Sequence, residues 1–224
     1  MTLRLNLAAL TPLELERLLG VDAARQMQPD LSAARLARRP LLGHNFQTEL
    51  NLTAVPERTW GATPDDAYRL RQQRAELEAA GLSFMGTFAL DALTGQRFLS
   101  AYLCETQNAT GMLVALRWSE ERKQDTPAVQ LISWLREELA GTQALVSWNT
   151  HLTPTLEGSP SVLVKEYPDQ DAQQLLYTHR TRVKHHGKAT PVSSLLEFES
   201  VFQRLWEANI SAWKARGVLV ENGK

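Results

Sequence analysis

The 224-residue sequence carries a single cysteine, Cys104, so no intramolecular disulfide can form and zinc sites built from several thiolates are excluded. Cys104 falls in a strand-like run, where a thiol usually acts as a small apolar residue rather than a nucleophile. Long apolar runs are also missing, and nothing approaches the roughly 18 residues of a membrane-spanning helix. The first ten residues turn polar at Thr11-Pro12-Leu13-Glu14 before any signal-like segment can form. These absences lead to the expectation of a soluble, cytoplasmic protein with no membrane contact.

An excess of one charge is lacking as well. Lys and Arg number 24 against 25 Asp and Glu, a net charge of −1, which removes whole-molecule attraction to nucleic acid or anionic lipid. No glycine-rich phosphate loop, Gly-x-Ser-x-Gly elbow or His-Glu-x-x-His pair occurs. The commonest nucleotide-dependent and acyl-transfer enzymes are thereby set aside. No cofactor and no metal is expected, and the reading tends away from an enzyme.

What is present is an ordinary globular composition, 43% hydrophobic and 22% charged. Helix punctuation is its clearest signal. Thr11-Pro12, Thr63-Pro64, Thr126-Pro127 and Thr190-Pro191 each put a hydroxyl at the N-cap and proline at the first helical position, with Ser193 or Ser194 as an alternative cap for the last. Gly81, Gly141 and Gly217 are the matching stops, and Asp169 and Gly187 bracket a further helix. Asp30 is a candidate cap for a short helix ended by Pro40. Apolar stripes at helical spacing support helices at 64–80, 127–140, 170–186 and 191–216.

Between them, alternation predicts a three-stranded antiparallel meander over 82–118, with turns at Asp91 to Gly95 and Gln107 to Gly111. Further strands are expected at 143–150 and 161–167, with weaker ones at 46–52 and 3–7. The fold class is therefore α+β, a mainly antiparallel sheet packed against amphipathic helices. Residues 1–60 read as a looser N-terminal portion, helical with one or two short strands, and 61–224 as a compact unit.

One region departs from the average. From Ala172 to Leu196 there is no Asp or Glu, and 179–188 holds three of the five histidines with four cations. On a helix, Ala172, Leu175, Leu176 and Val183 form the apolar stripe, with His179 at its centre, His186 near it and Arg182 on its edge. Arg180 and Lys184 share the neighbouring face. Basic residues at a helix C-terminus are favoured by the exposed carbonyls, and a histidine on an apolar face is commonly a hydrogen-bonded core residue. The same residues also suit an anion site: Arg182 offers a planar fork and the imidazoles add donors that switch near neutral pH. A metal site is awkward, because His179 and His186 lie about 10.5 Å apart along the axis. A second acid-free window, Leu31 to Thr48, contains Arg35, Arg38, Arg39 and His44.

Three functional readings stay open. The first is a non-enzymatic binding or accessory protein with a positive site for an anionic small molecule or protein partner, with Trp60, Trp118, Trp148 and Trp206 as further contact candidates. The second is an enzyme using His179 or His186 as general acid or base, Arg182 as substrate anchor and Glu105 or Glu166 as orienting carboxylate. The third is nucleic-acid binding through 35–39 and 179–188. Oligomeric state is not legible.

Overall fold

A computed structural model describes residues 3–90, 97–104, 112–120, 127–150 and 156–221. The elements in chain order are β1 (Leu3–Asn6), α1 (Pro12–Leu19), α2 (Val21–Gln26), α3 (Gln28–Leu36), β2 (Leu42–Phe46), β3 (Leu52–Ala54) and α4 (Pro64–Ala79). The strands β4 (Leu82–Leu90), β5 (Phe98–Cys104), β6 (Leu113–Trp118), β7 (Ala128–Leu139), β8 (Thr142–Trp148) and β9 (Val162–Glu166) follow. The chain ends with α5 (Ala172–His186), α6 (Leu195–Ala215) and β10 (Leu219–Glu221). The class is α+β, as the patterning implies.

The chain divides into two compact units that interleave along the sequence. The first comprises 1–49, 153–159 and 206–224; the second comprises 50–152 and 160–205, so residues 50–60 group with the second.

In the first unit β1 lies between β10 and β2, all antiparallel, with Leu3 opposite both Glu221 and Phe46. Asn6 joins distant stretches: its amide donates to the Gly217 carbonyl at 3.0 Å while its oxygen accepts from Ala8 and Leu41. The N-cap at Thr11 forms as the sequence predicts, and Glu14 closes it into a capping box. Its Glu14 carboxylate is wholly buried, accepting from the N–H groups of Thr11 and Glu157 and from the Arg216 guanidinium at 2.7 Å. Burial by itself raises such a carboxyl, but Arg216 and the two N–H groups outweigh it and hold Glu14 below the usual range. Asp30 lies in the first turn of α3 rather than capping it; Met27 holds the cap position.

The second unit is a seven-stranded sheet in sequence order, β3 to β9. β4, β5 and β6 form the expected meander. One face of the sheet receives α4 and α5 through Leu70, Leu77, Leu175 and Leu176, against Tyr102, Val114, Leu116, Trp118, Val129 and Leu131. On the other face Leu99, Ala101, Leu113, Ala115 and Ile132 are equally buried.

Several expectations are corrected. Residues 127–140 do not form a helix: 128–139 is β7. Its apolar positions match helical spacing by coincidence, because the stretch 128–135 is covered on both faces, is buried apart from half-buried Trp134 and shows no alternation. Val129, Ile132 and Trp134 are the β-favouring residues that outweigh the cap signals. Gly141 is no helix stop. With Ala140 it makes a two-residue hairpin turn, both at positive φ (51° and 81°), between β7 and β8. β9 pairs with β8 in parallel, through the long connection 149–161. The strand expected at 46–52 is two strands, ending at Phe46 and restarting at Leu52. The cap of α5 is Asp171 rather than Asp169, and that of α6 is Ser194, whose hydroxyl accepts from Glu197 N–H at 3.2 Å. Trp60, Trp118 and Trp206 are buried, not exposed contact residues, and Trp148 is half-buried. The turns at 91–95 and 107–111, Thr126 and Glu105 lie outside the described residues. No helix among the described residues is long and apolar enough to cross a membrane.

Candidate binding site on the fifth helix

A capping box starts α5. Asp171 accepts from Gln174 N–H at 2.8 Å and the Gln174 side chain accepts from Asp171 N–H. This fixes the rotation of the helix, so Ala172, Leu175, Leu176, His179 and Val183 face the sheet. His179 is 0% exposed. Its Nδ1 lies 2.8 Å from Ser147 Oγ on β8 and its Nε2 lies 3.0 Å from Ser133 Oγ on β7. Burial, helped by the nearby Arg182 charge, pulls the imidazole down to about 3, so it is neutral at ordinary pH.

Arg182 shares Ser147: its Nη1 donates to Ser147 Oγ and to the Val146 carbonyl, both at 2.7 Å, and its Nη2 donates to the Leu163 carbonyl at 2.9 Å. The guanidinium thus staples the helix to β8 and β9, and burial pulls it below its ordinary value. His186, one turn on, is half-buried with Nδ1 2.8 Å from the Arg182 carbonyl. Arg180 is half-buried and engaged within the fold. Lys184, His185 and Lys188 are exposed, with no acidic partner among the described residues.

The structure therefore brings His179 and Arg182 together, places His186 beside them and turns Lys184 to solvent. A serine within hydrogen-bond reach of a histidine resembles a nucleophile–base pair, but both serines are wholly buried and the imidazole cannot accept a proton near neutral pH. Glu166 is on β9, exposed, with no contact to either histidine ring. Of the second basic window, Arg35 donates to the Ala8 and Leu10 carbonyls, and Arg38, Arg39 and His44 are exposed; all belong to the first unit. Among the described residues no three His, Cys, Asp or Glu gather as metal ligands.

Two polar clusters escape the sequence reading. Arg74 on α4 donates to Glu57 at 2.9 Å and to Ser100 at 2.9 Å, while the Thr87 hydroxyl donates to Glu57. Burial raises Glu57, but Thr87 and Arg74 outweigh it and hold the carboxyl down. Burial pushes the neighbouring Tyr102 hydroxyl up. The signal for Arg74 was available: Ala67, Leu70, Arg74 and Leu77 follow a 3-4-3 spacing, which puts an arginine on the core stripe. The second cluster is Arg117 on β6, buried, donating to Gln130 at 3.3 Å with its guanidinium 5.2 Å from the Trp148 ring centre. Burial draws it down to about 10. Alternation with Leu113 and Ala115 marks its inward direction.

No family model, curated protein or solved structure matches the chain.

Proposed function

We propose that this chain is a non-enzymatic binding module that presents a positively charged helix end to an acidic protein partner. The observation that carries the reading is the division of labour along α5. The groups able to do chemistry, His179 and its serines, are sealed in the core, whereas Lys184, His185 and Lys188 stand in solvent without acidic partners among the described residues. Lys165 is also exposed, on the strand whose carbonyl Arg182 holds. The carbonyl end of the helix favours cations there on its own account, but it does not require them to stay unpaired in a protein with as many acids as bases.

Fluorescence-anisotropy titration of a labelled 20-residue polyglutamate tests this. Binding at low salt that weakens as salt rises is expected, and the pair Lys184→Glu and Lys188→Glu lowers affinity by about tenfold. No binding at low salt overturns the reading. A charge-matched DNA strand bound more tightly than polyglutamate overturns the protein-partner part of it.

A further inference from the structure

A guanidinium taken into an apolar interior keeps its charge, so the interior has to supply something that answers it. Arg117 is the only buried arginine among the described residues, 7% exposed. Burial draws it down to about 10, which still leaves it a cation near neutral pH. Leu99 stands opposite it on β5, Ala128 opposite it on β7, and Ala115 precedes it on the same face. All three are apolar and wholly buried. Gln130 accepts from Nη1 at 3.3 Å and the Trp148 ring centre lies 5.2 Å from the guanidinium. Both of these partners are neutral.

Less buried arginines fare better. Arg58, Arg74 and Arg216 each meet a carboxylate, from Glu120, Glu57 and Glu14. Arg182 donates three hydrogen bonds of 2.7 to 2.9 Å to oxygen. Arg117 makes its one hydrogen bond among the described residues from Nη1, while its Nε is buried without an acceptor. The side left without a partner is the Nε–Nη2 edge, where two parallel N–H groups match the two oxygens of a carboxylate. A water would complete the hydrogen bond at Nε but not balance the charge. An anion does both.

We infer that Arg117, Gln130 and Trp148 form a binding site for a small monocarboxylic acid, held as its anion. The carboxylate lies across Nε and Nη2 in the plane of the guanidinium. Gln130 steadies the fork from the Nη1 side and Trp148 supports its face. The ligand is small because so little of Arg117 reaches the surface, and half-buried Trp148 is the wall nearest solvent. It carries one charge because one cation is there to balance it. The rest of it is apolar, as Leu99, Ala115 and Ala128 are.

Arg117 shares its face of the sheet with Leu113 and Ala115, whereas α5 packs on the face that carries Val114, Leu116 and Trp118. The site is therefore separate from the exposed lysines of α5, and it stands or falls independently of the acidic protein partner.

The test follows the thermal midpoint of the whole chain in sodium propionate and in sodium chloride at equal ionic strength. Propionate in roughly tenfold excess over its Kd raises the midpoint by about 3 °C, and chloride does not. Arg117→Met keeps the side-chain length and removes the charge; its midpoint in chloride equals or exceeds that of the wild type and no longer responds to propionate. Gln130→Glu supplies a carboxylate from within, with the same two results. A purely structural arginine gives the reverse, a midpoint lowered by Arg117→Met and indifferent to propionate, and that overturns the site. A propionate response that survives both variants also overturns it. Inorganic phosphate bound more tightly than propionate overturns the monocarboxylate. If the variants misfold, the arginine Nε–H spectrum of the unmodified protein decides. One resonance that moves with propionate and not with chloride supports the site, and none overturns it.

Discussion

Glu14 in the first unit and His179 in the second are both wholly buried ionisable side chains, and their surroundings treat them in opposite ways. Glu14 keeps its charge because a guanidinium and two backbone N–H groups replace the water it lost. His179 gives up its charge because its partners are two neutral hydroxyls and the nearest charge, Arg182, has the same sign. Burial alone does not say whether a group is ionic. The partners decide it, and several of them come from far along the chain: Glu157 and Arg216 for Glu14, Ser133 and Ser147 for His179.

Arg216→Ala leaves the Glu14 carboxylate buried without its cation, and a loss of about 3 kcal/mol in urea unfolding is expected. Adding Glu14→Gln to Arg216→Ala recovers part of that loss, because the orphaned charge is gone. At the neutral member, His179→Leu leaves the Ser133 and Ser147 hydroxyls short of a partner, for a loss of about 2 kcal/mol in the same assay.

Acid should separate the two. The folded chain holds His179 neutral down to about 3, while the unfolded chain takes up a proton below 6.5. The unfolded state therefore binds more protons in that window, and stability falls as pH drops, by roughly 1.4 kcal/mol per unit for one group. Glu14, held below its ordinary value, contributes stability that is present above the usual carboxylate range and is lost only as pH falls through its lowered value. Unfolding midpoints from pH 7 to 5 should thus report His179 first, and His179→Leu should flatten the slope there. The smallest effect is Ser133→Ala, about 1 kcal/mol, expected to fall below that of Ser147→Ala because Ser147 also serves Arg182.

Local chemistry was readable and distant pairing was not. The caps at Thr11, Thr63 and Gly217 and the stripes of α4, α5 and α6 depend on residues a few positions apart, so the sequence displays them. The placement of His179 at the centre of its stripe was readable for the same reason. Its serine partners, 46 and 32 positions away, depend on the register of β7 and β8. That register was hidden, because β7 imitates a helix where both sheet faces are covered. Arg74 and Glu57 show the same limit: the stripe aims the arginine inward, but nothing local names the carboxylate that receives it.

The three-stranded sheet of the first unit also sets an order of events during synthesis. β1 sits in the middle of that sheet and is made before the second unit, yet β10 is made after it, and Asn6 bonds Gly217 across 211 positions. On the ribosome, β1 must wait with one side unpaired while the whole second unit is translated. A chaperone that shields short strand edges, or a pause that delays β10, would act on this wait, and truncation before Leu219 would make it permanent.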